Sequence, residues 1–301
     1  MFDSLADNLG VLEWGKGTRV VNMYETETYA NALGLVREGY EMGAIPSDLT
    51  VQSSSPQELM ANGYSLGMVC GWKPGFDTKT SNQIGKDVVS VVLGPSVRTT
   101  SNVSNVMWSI PMTTVNQEKA AELLNMMFGS KEYMDLMAYG IEGTHYQVVD
   151  QEKGIIDYPD GVDAQSAAYS PQTGWHFGNQ FLNYIFSPDP ETLWKNTEEW
   201  NNSMEVITPV YGYLPDLSNV SSEVAACNNV VSQYEKSLGT GEVEPDEMLL
   251  QFIDALKAAG IDRIVEEKQK QIDEFIAENE TTSQPITSSN YTSASVVKPV
   301  R

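Results

Sequence analysis

The amino-acid sequence predicts an α/β fold. Three observations carry that reading: a length of 301 residues, enough for two lobes or one large unit; short runs of β-branched residues; and amphipathic helical patterns lying between those runs. Hydrophobic residues make up 41% of the chain and charged residues 20%, an ordinary globular balance. No run approaches the roughly 18 uninterrupted apolar residues that a membrane-spanning helix needs.

Along the chain, Tyr29, Leu33, Val36 and Tyr40 recur at helical spacing, and Gly43 stands where a helix is ended by a left-handed glycine. Ser55-Pro56-Gln57-Glu58 predicts a reciprocal cap opening a short helix: the Ser hydroxyl takes a backbone N–H, and the Glu carboxylate returns to the Ser backbone. Leu66–Cys70 and Val88–Leu93 read as buried strands of a sheet covered on both faces. Arg98 to Asn105 turns polar and is the candidate hinge; Val106–Ile110 resumes as a strand closed by Pro111. Asn116 and Ser130 are helix caps, the first before Ala120, Leu123, Leu124 and Met127, the second before a helix through about Ala138. Residues 139–190 read as ordered loops with short elements. Helices are expected near 189–201 and 222–238, then a pair opened by Pro245 and divided by Gly260, running to about Ala277. Thr281–Arg301 has no acidic residue and little apolar content, so a disordered tail is expected there. No internal repeat is visible, against a solenoid.

A net charge of -23 opposes binding to nucleic acid and to anionic lipid, both of which recruit Lys and Arg against phosphate. Cys70 and Cys227 each lie in an apolar pattern where a small inert thiol fits, with a disulfide or a reactive thiol as alternatives. The two histidines, His145 and His176, have no zinc-type spacing. Motifs for a serine-hydrolase elbow, a P-loop or a dinucleotide site are missing, so no metal, no cofactor and no enzyme activity are expected. A pair of carboxylates would suffice for a glycosidase, but most Asp and Glu here fall in helix first turns or on polar faces.

Tryptophan is the informative residue, with six in the chain. Sugar rings present apolar C–H faces that stack on indoles, and Asn, Asp, Glu and Lys satisfy their hydroxyls. Trp72 and Lys73 sit in a loop at the end of the Leu66–Gly71 strand. Trp14 is a further exposed indole. Trp175, His176 and Asn179 combine an indole, a titratable donor and an amide in five residues. Trp108 reads as core by its strand pattern. Trp194 and Trp200 read as helix-packing residues.

Several of these stretches together resemble a known group. Asn22–Thr26 with its helix, the Ser55–Glu58 cap, Gly71-Trp72, Met107–Pro111 and Gln117–Asn125 resemble the later half of family 1 extracellular solute-binding proteins of ABC transporters. Tyr139–Tyr146 resembles a signature of the lipoprotein-type members, and Trp175–Phe181 with Leu256–Asp262 resembles their C-terminal domain of unknown function. The match runs from about Val20 to Phe275. It implies a type II periplasmic-binding-protein-like fold of two α/β lobes joined by crossing segments, with most of the first lobe missing from this chain. Residues 1–100 would then be a second-lobe α/β segment, 101–142 a hinge crossing with a first-lobe strand and helix, 143–280 the family-specific region and 281–301 the tail.

The resemblance implies capture of a mono- or oligosaccharide in an interlobe cleft and delivery to ABC permease subunits in the membrane. The alternative is a non-transport carbohydrate sensor or adhesion module on the same fold. Trp72 falls where such proteins carry a sugar-stacking aromatic and Trp108 just after a lobe crossing. The candidate ligand-binding set is Trp72, Lys73, Trp108, Trp175, His176 and Asn179, with no catalytic residue and no metal ligand. The parent would be an extracellular, membrane-anchored lipoprotein and a monomer. The start of this chain has no basic or apolar leader pattern and no lipidation Cys, so a signal peptide is not expected within it.

Overall fold

The computed structural model describes residues 1–51, 53–164, 166–169, 171, 173–206 and 208–281; the expected tail beyond residue 281 lies outside them. In chain order the elements are β1 (Phe2–Asp3), β2 (Gly10–Glu13), β3 (Val20–Asn22), α1 (Glu27–Glu41), α2 (Pro56–Ala61), α3 (Phe76–Ile84), β4 (Val97–Arg98), α4 (Thr100–Ser104), α5 (Gln117–Gly129) and α6 (Lys131–Tyr139). There follow β5 (Gln147–Asp150), β6 (Ile155–Asp157), α7 (Gly174–Phe177), β7 (Ile185–Phe186), α8 (Leu193–Ser203), β8 (Glu205–Val206), α9 (Ser221–Gly239), α10 (Pro245–Ala259) and α11 (Ile261–Thr281). The α/β class is as expected.

The chain forms two compact units. One comprises Met1–Val51, Thr99–Val103 and Val206–Arg301; the other comprises Gln52–Arg98 and Ser104–Glu205. This division cuts the sequence differently from segments 1–100 and 101–142. Residues 1–51 separate from those that follow because their strands and α1 pack with α9, α10 and α11 from the far end of the chain.

In the first unit, β1, β2 and β3 form an antiparallel meander with Asp3 opposite Leu12 and Val11 opposite Val21. Leu9, Tyr24, Leu33, Val220, Cys227, Leu238, Phe252, Leu256, Ile261 and Ile264 form its main core, and Leu5, Leu12, Val20, Val210, Tyr213 and Ile272 a second cluster. The central strand β2 buries Gly10, Val11 and Leu12 in succession and β3 buries Val20 and Asn22, so the short meander packs against the apolar stripes of three helices. Where α1 meets the end of α9, a Cβ on Gly241 would come within 2.8 Å of the Val36 carbonyl oxygen. The Gly241 φ of 75° adds a second reason for glycine there. Arg37 donates to the carbonyls of Gly241 and Glu242 at 3.0 and 3.3 Å, closing the same corner.

The buried ammonium of Lys268 on α11 fastens that helix to the meander. It donates to the carbonyls of Leu5 and Gly10, each at 3.0 Å, and to the Asp7 carboxylate. Burial lowers its pKa, opposed by the charge of Asp7 and the hydrogen bond to it. The Gln269 side chain accepts from the Val20 N–H at 2.7 Å and donates to the Thr18 carbonyl at 3.2 Å, so α11 also closes one strand edge.

In the second unit, β5 pairs antiparallel with β6 and β6 parallel with β7, Ile155 standing opposite Ile185. Ala138, Tyr139, Tyr146, Ile156 and Phe186 pack together on this sheet. The Tyr139–Tyr146 signature has a local cause: Gly140 has φ 85° and a Cβ there would strike the His145 ring, whose Nδ1 accepts from the Ile141 N–H at 2.9 Å.

Every capping signal read from the sequence is present. Ser55 and Glu58 make the reciprocal cap with Pro56 in the first turn, Asn116 accepts from the Lys119 N–H, and Ser130 from the Tyr133 N–H. Pro245 opens α10, and Gly260 ends it in the left-handed conformation. Three expectations fail. Leu66–Cys70, Val88–Leu93 and Val106–Ile110 are irregular rather than strands, and Leu66, Val69, Val89, Val91, Val92, Leu93 and Met107 are exposed. No strand pairs with them among the described residues, and β-branched composition alone does not hold a ladder without a partner. Cys70 consequently is exposed, whereas Cys227 is buried as expected; both thiols are free.

Candidate functional site

The six candidate residues all belong to the second unit, and segment 174–180, which carries Trp175, His176 and Asn179, is also contacted by Lys73 and Trp108. Gly174–Phe177 is one short helical turn, followed by Gly178 with φ 141°. A Cβ on Gly178 would collide with the Met127 carbonyl at the end of α5, so glycine is needed for this close approach. The next N–H, that of Asn179, donates to that Met127 carbonyl at 3.0 Å, and the Asn179 Oδ1 accepts from the Phe181 N–H at 3.2 Å. The Trp175–Phe181 signature is thus a backbone device that moors a turn against α5 and sets the Trp175 and His176 rings side by side, 3.7 Å between centroids.

Two other segments reach this turn. Trp108 donates its indole N–H to the His176 carbonyl at 2.9 Å. It is 53% exposed, which corrects its reading as core: the strand that was to bury it does not form, and only the indole N–H is anchored. The Lys73 ammonium donates to the Gln180 Oε1 at 3.4 Å. Burial lowers the Lys73 pKa, with the charge of Lys79 adding to the effect.

Beside Lys73, the Trp72 ring makes an edge contact with Trp200, 6.1 Å between centroids and 87° between planes. Its indole N–H donates to the Asp77 Oδ1 at 3.3 Å. Asp77 lies in the first turn of α3 and also accepts from the Ser90 N–H at 3.1 Å and from the Ser90 hydroxyl. Burial raises the Asp77 pKa, but the Ser90 and Trp72 hydrogen bonds outweigh it and hold the carboxyl below its usual range. Trp200 is anchored by its own indole N–H on the Ser96 hydroxyl at 3.1 Å. Trp72 is 36% and Trp175 43% exposed.

The unit therefore carries three partly open indoles, Trp72, Trp108 and Trp175, whose N–H or neighbouring backbone is fixed while part of each ring stays accessible. Around them stand a cation, an imidazole and amides. Fixed rings rimmed by donors and acceptors suit a ligand with alternating apolar faces and hydroxyls. Sequence reasoning missed Asp77, Gln180 and the Trp200 edge. Asp77 looked like any first-turn carboxylate, and Trp200 like a packing residue of α8; only the fold shows that both address Trp72. Among the described residues no group of three or more His, Cys, Asp or Glu could hold a metal ion.

Residues 209–277 match the family described as a domain of unknown function, DUF3502. A carbohydrate ABC transporter substrate-binding protein of Streptococcus pneumoniae is 25% identical over 264 residues, covering 87% of this chain and 52% of that protein. The crystal structure of the N-glycan transport solute binding protein NgtS from the same organism, in complex with Man1GlcNAc, superposes with a TM-score of 0.75 at 24% identity, over 92% of this chain and 61% of that one. The complex of the same protein with Man5GlcNAc gives the same TM-score, identity and coverage. This chain spans about half the length of the curated relative it matches. In sequence and in fold, it is similar to the substrate-binding proteins of carbohydrate ABC transporters, and it contains the DUF3502 region.

Proposed function

We propose that this chain forms part of the substrate-binding component of an ABC importer that captures a mono- or oligosaccharide. The observation that carries the proposal is the set of anchored, partly exposed indoles Trp72, Trp108 and Trp175, with Lys73, His176 and Asn179 beside them, on a fold shared with sugar-complexed solute-binding proteins. Ligand rings stack on the indoles, and their hydroxyls take up the free capacity of the amide, imidazole and ammonium groups. Capture in a cleft of the whole binding protein, hand-over to membrane permease subunits, action outside the membrane from a lipid anchor and a monomeric state complete the proposal. No catalytic step is part of it.

The test is Trp72→Ala in the whole binding protein, with affinity for Man1GlcNAc-type oligosaccharides measured by calorimetry and the thermal midpoint measured on the same sample. Losing one stacking surface is expected to weaken binding by about 1–3 kcal/mol, roughly five- to a hundred-fold in Kd, with the midpoint little changed. A large fall in midpoint with unchanged affinity would make Trp72 a packing residue and remove it from the site.

A further inference from the structure

The first unit has a groove of its own, of about 400 Å³, lined among others by Asp3, Glu13, Trp14, Thr208 and Pro209. Trp14 stands at the tip of the β2–β3 hairpin, the residue 45% exposed and its backbone N–H held by the Met1 carbonyl at 3.0 Å. The tip is rigid for local reasons. Gly15 and Gly17 have φ of 77° and 83°, and the Lys16 N–H returns to the Glu13 carbonyl at 3.0 Å. Glu13 is itself engaged, by the Lys16 ammonium at 2.8 Å and the Thr28 hydroxyl at 2.6 Å.

Asp3 is different. Only 3% of it is exposed, its Oδ1 takes the Leu5 N–H at 3.3 Å, and its Oδ2 has no hydrogen-bond partner in the structure. A buried carboxylate oxygen without a donor is costly, and the charge makes a donor worth more there than at a neutral acceptor. The groove thus joins an open indole face to a carboxylate with acceptor capacity unused. An anionic ligand is opposed by Asp3, Glu13 and a net charge of -23.

We propose that this groove is a second ligand subsite, taking a single pyranose ring stacked on Trp14 with a hydroxyl donated toward Asp3. The volume suits a small ligand, pockets for such molecules starting at roughly 300 Å³. The choice of a saccharide over another donor-rich ligand rests on the proposed function; the groove and its unused acceptor do not.

The experiment labels the full chain with 5-fluorotryptophan and follows its six indole signals by ¹⁹F NMR, assigned with single Trp→Phe variants. The probes are N-acetylglucosamine, methyl α-mannoside and, as a cationic control, methylammonium. A saturable shift of the Trp14 signal with either sugar is expected. Trp14→Ala should abolish the binding event read at the backbone amide signal of Thr208, which lines the groove, while the Trp72, Trp108 and Trp175 signals titrate as before. Asp3→Asn, whose single oxygen keeps the Leu5 N–H while an amide NH2 replaces the unused Oδ2, removes that acceptor together with the charge and should weaken the Trp14 event by about tenfold with the other indoles unaffected. If the Trp14 signal stays still while second-unit indoles move, this subsite does not exist and the proposed function stands. Movement of Trp14 with methylammonium but not with sugar overturns the ligand class, and stillness of every indole overturns this subsite while leaving the proposed function, whose cleft belongs to the whole binding protein, to its own test.

Discussion

At the scale of single residues, the most consequential side chain is Lys268. Its ammonium is fully buried yet makes three contacts, to two carbonyls and to Asp7. Truncation leaves those acceptors without a donor, and Asp7 without its counter-charge. Lys268→Ala should therefore cost about 3–5 kcal/mol, visible as a fall in the urea midpoint of the first unit. Lys268→Met with Asp7→Asn should recover part of the loss, because volume is restored and no lone charge remains; equal destabilisation by both would mean that the carbonyl contacts alone matter. The glycine before Asn179 gives a second expectation. Gly178→Ala forces a Cβ against the Met127 carbonyl at a φ that L-residues avoid. It should displace the 174–180 turn, and the Trp108 indole N–H, bonded to His176, should lose its protection from hydrogen exchange.

At the scale of elements, local signals were legible and non-local ones were not. Ser55, Asn116, Ser130, Pro245 and Gly260 act within one helical turn of their own position, so a reader of the sequence sees the whole interaction. Leu66–Cys70, Val88–Leu93 and Val106–Ile110 carry strand composition, but a strand exists only through a neighbour whose register the sequence does not announce. The misplacing of Cys70 and of Trp108 as core follows directly. The candidate site was legible as residue types, indoles and amides in loops; its wiring through Gln180, Asp77 and Trp200 required the fold. The exposed segment Val89, Val91, Val92 and Leu93 has its own consequence. Apolar backbone without a ladder partner recruits other chains. The protein should bind an apolar dye such as ANS and scatter light increasingly with concentration. Val91→Lys with Leu93→Lys should suppress both without lowering the thermal midpoint; unchanged scattering would place the self-association elsewhere.

At the scale of the whole molecule, charge and titration set the solution behaviour. With a net charge of -23, repulsion among carboxylates should ease as salt shortens the Debye length from about 30 Å at 0.01 M to about 8 Å at 0.15 M, so the thermal midpoint should rise over that range. The alkaline limit follows from buried acids. Burial pushes the Cys227 thiol from 9.0 up to about 11, and the Tyr29, Tyr146 and Tyr213 phenols from 10.0 to about 12. The unfolded chain releases these protons first, so it binds fewer protons than the native state across that interval. Stability from these groups is complete below about pH 9 and is lost between about pH 9 and 12. Lys268, whose pKa is lowered, works in the opposite direction. Urea midpoints taken across that interval should fall with rising pH; a rise would mean that the buried lysines Lys268, Lys73 and Lys79, whose pKa values burial lowers, dominate. The division of the chain also dictates a timetable. The second unit is enclosed in sequence by the first, whose meander waits for α11, the helix whose Lys268 and Gln269 close it. During synthesis at roughly 5–20 residues per second, the enclosed unit can fold while β1, β2 and β3 still lack their partner. Residues 1–51 therefore leave the ribosome well before the helices that complete their packing, and that interval is when a chaperone or a protease has access to them.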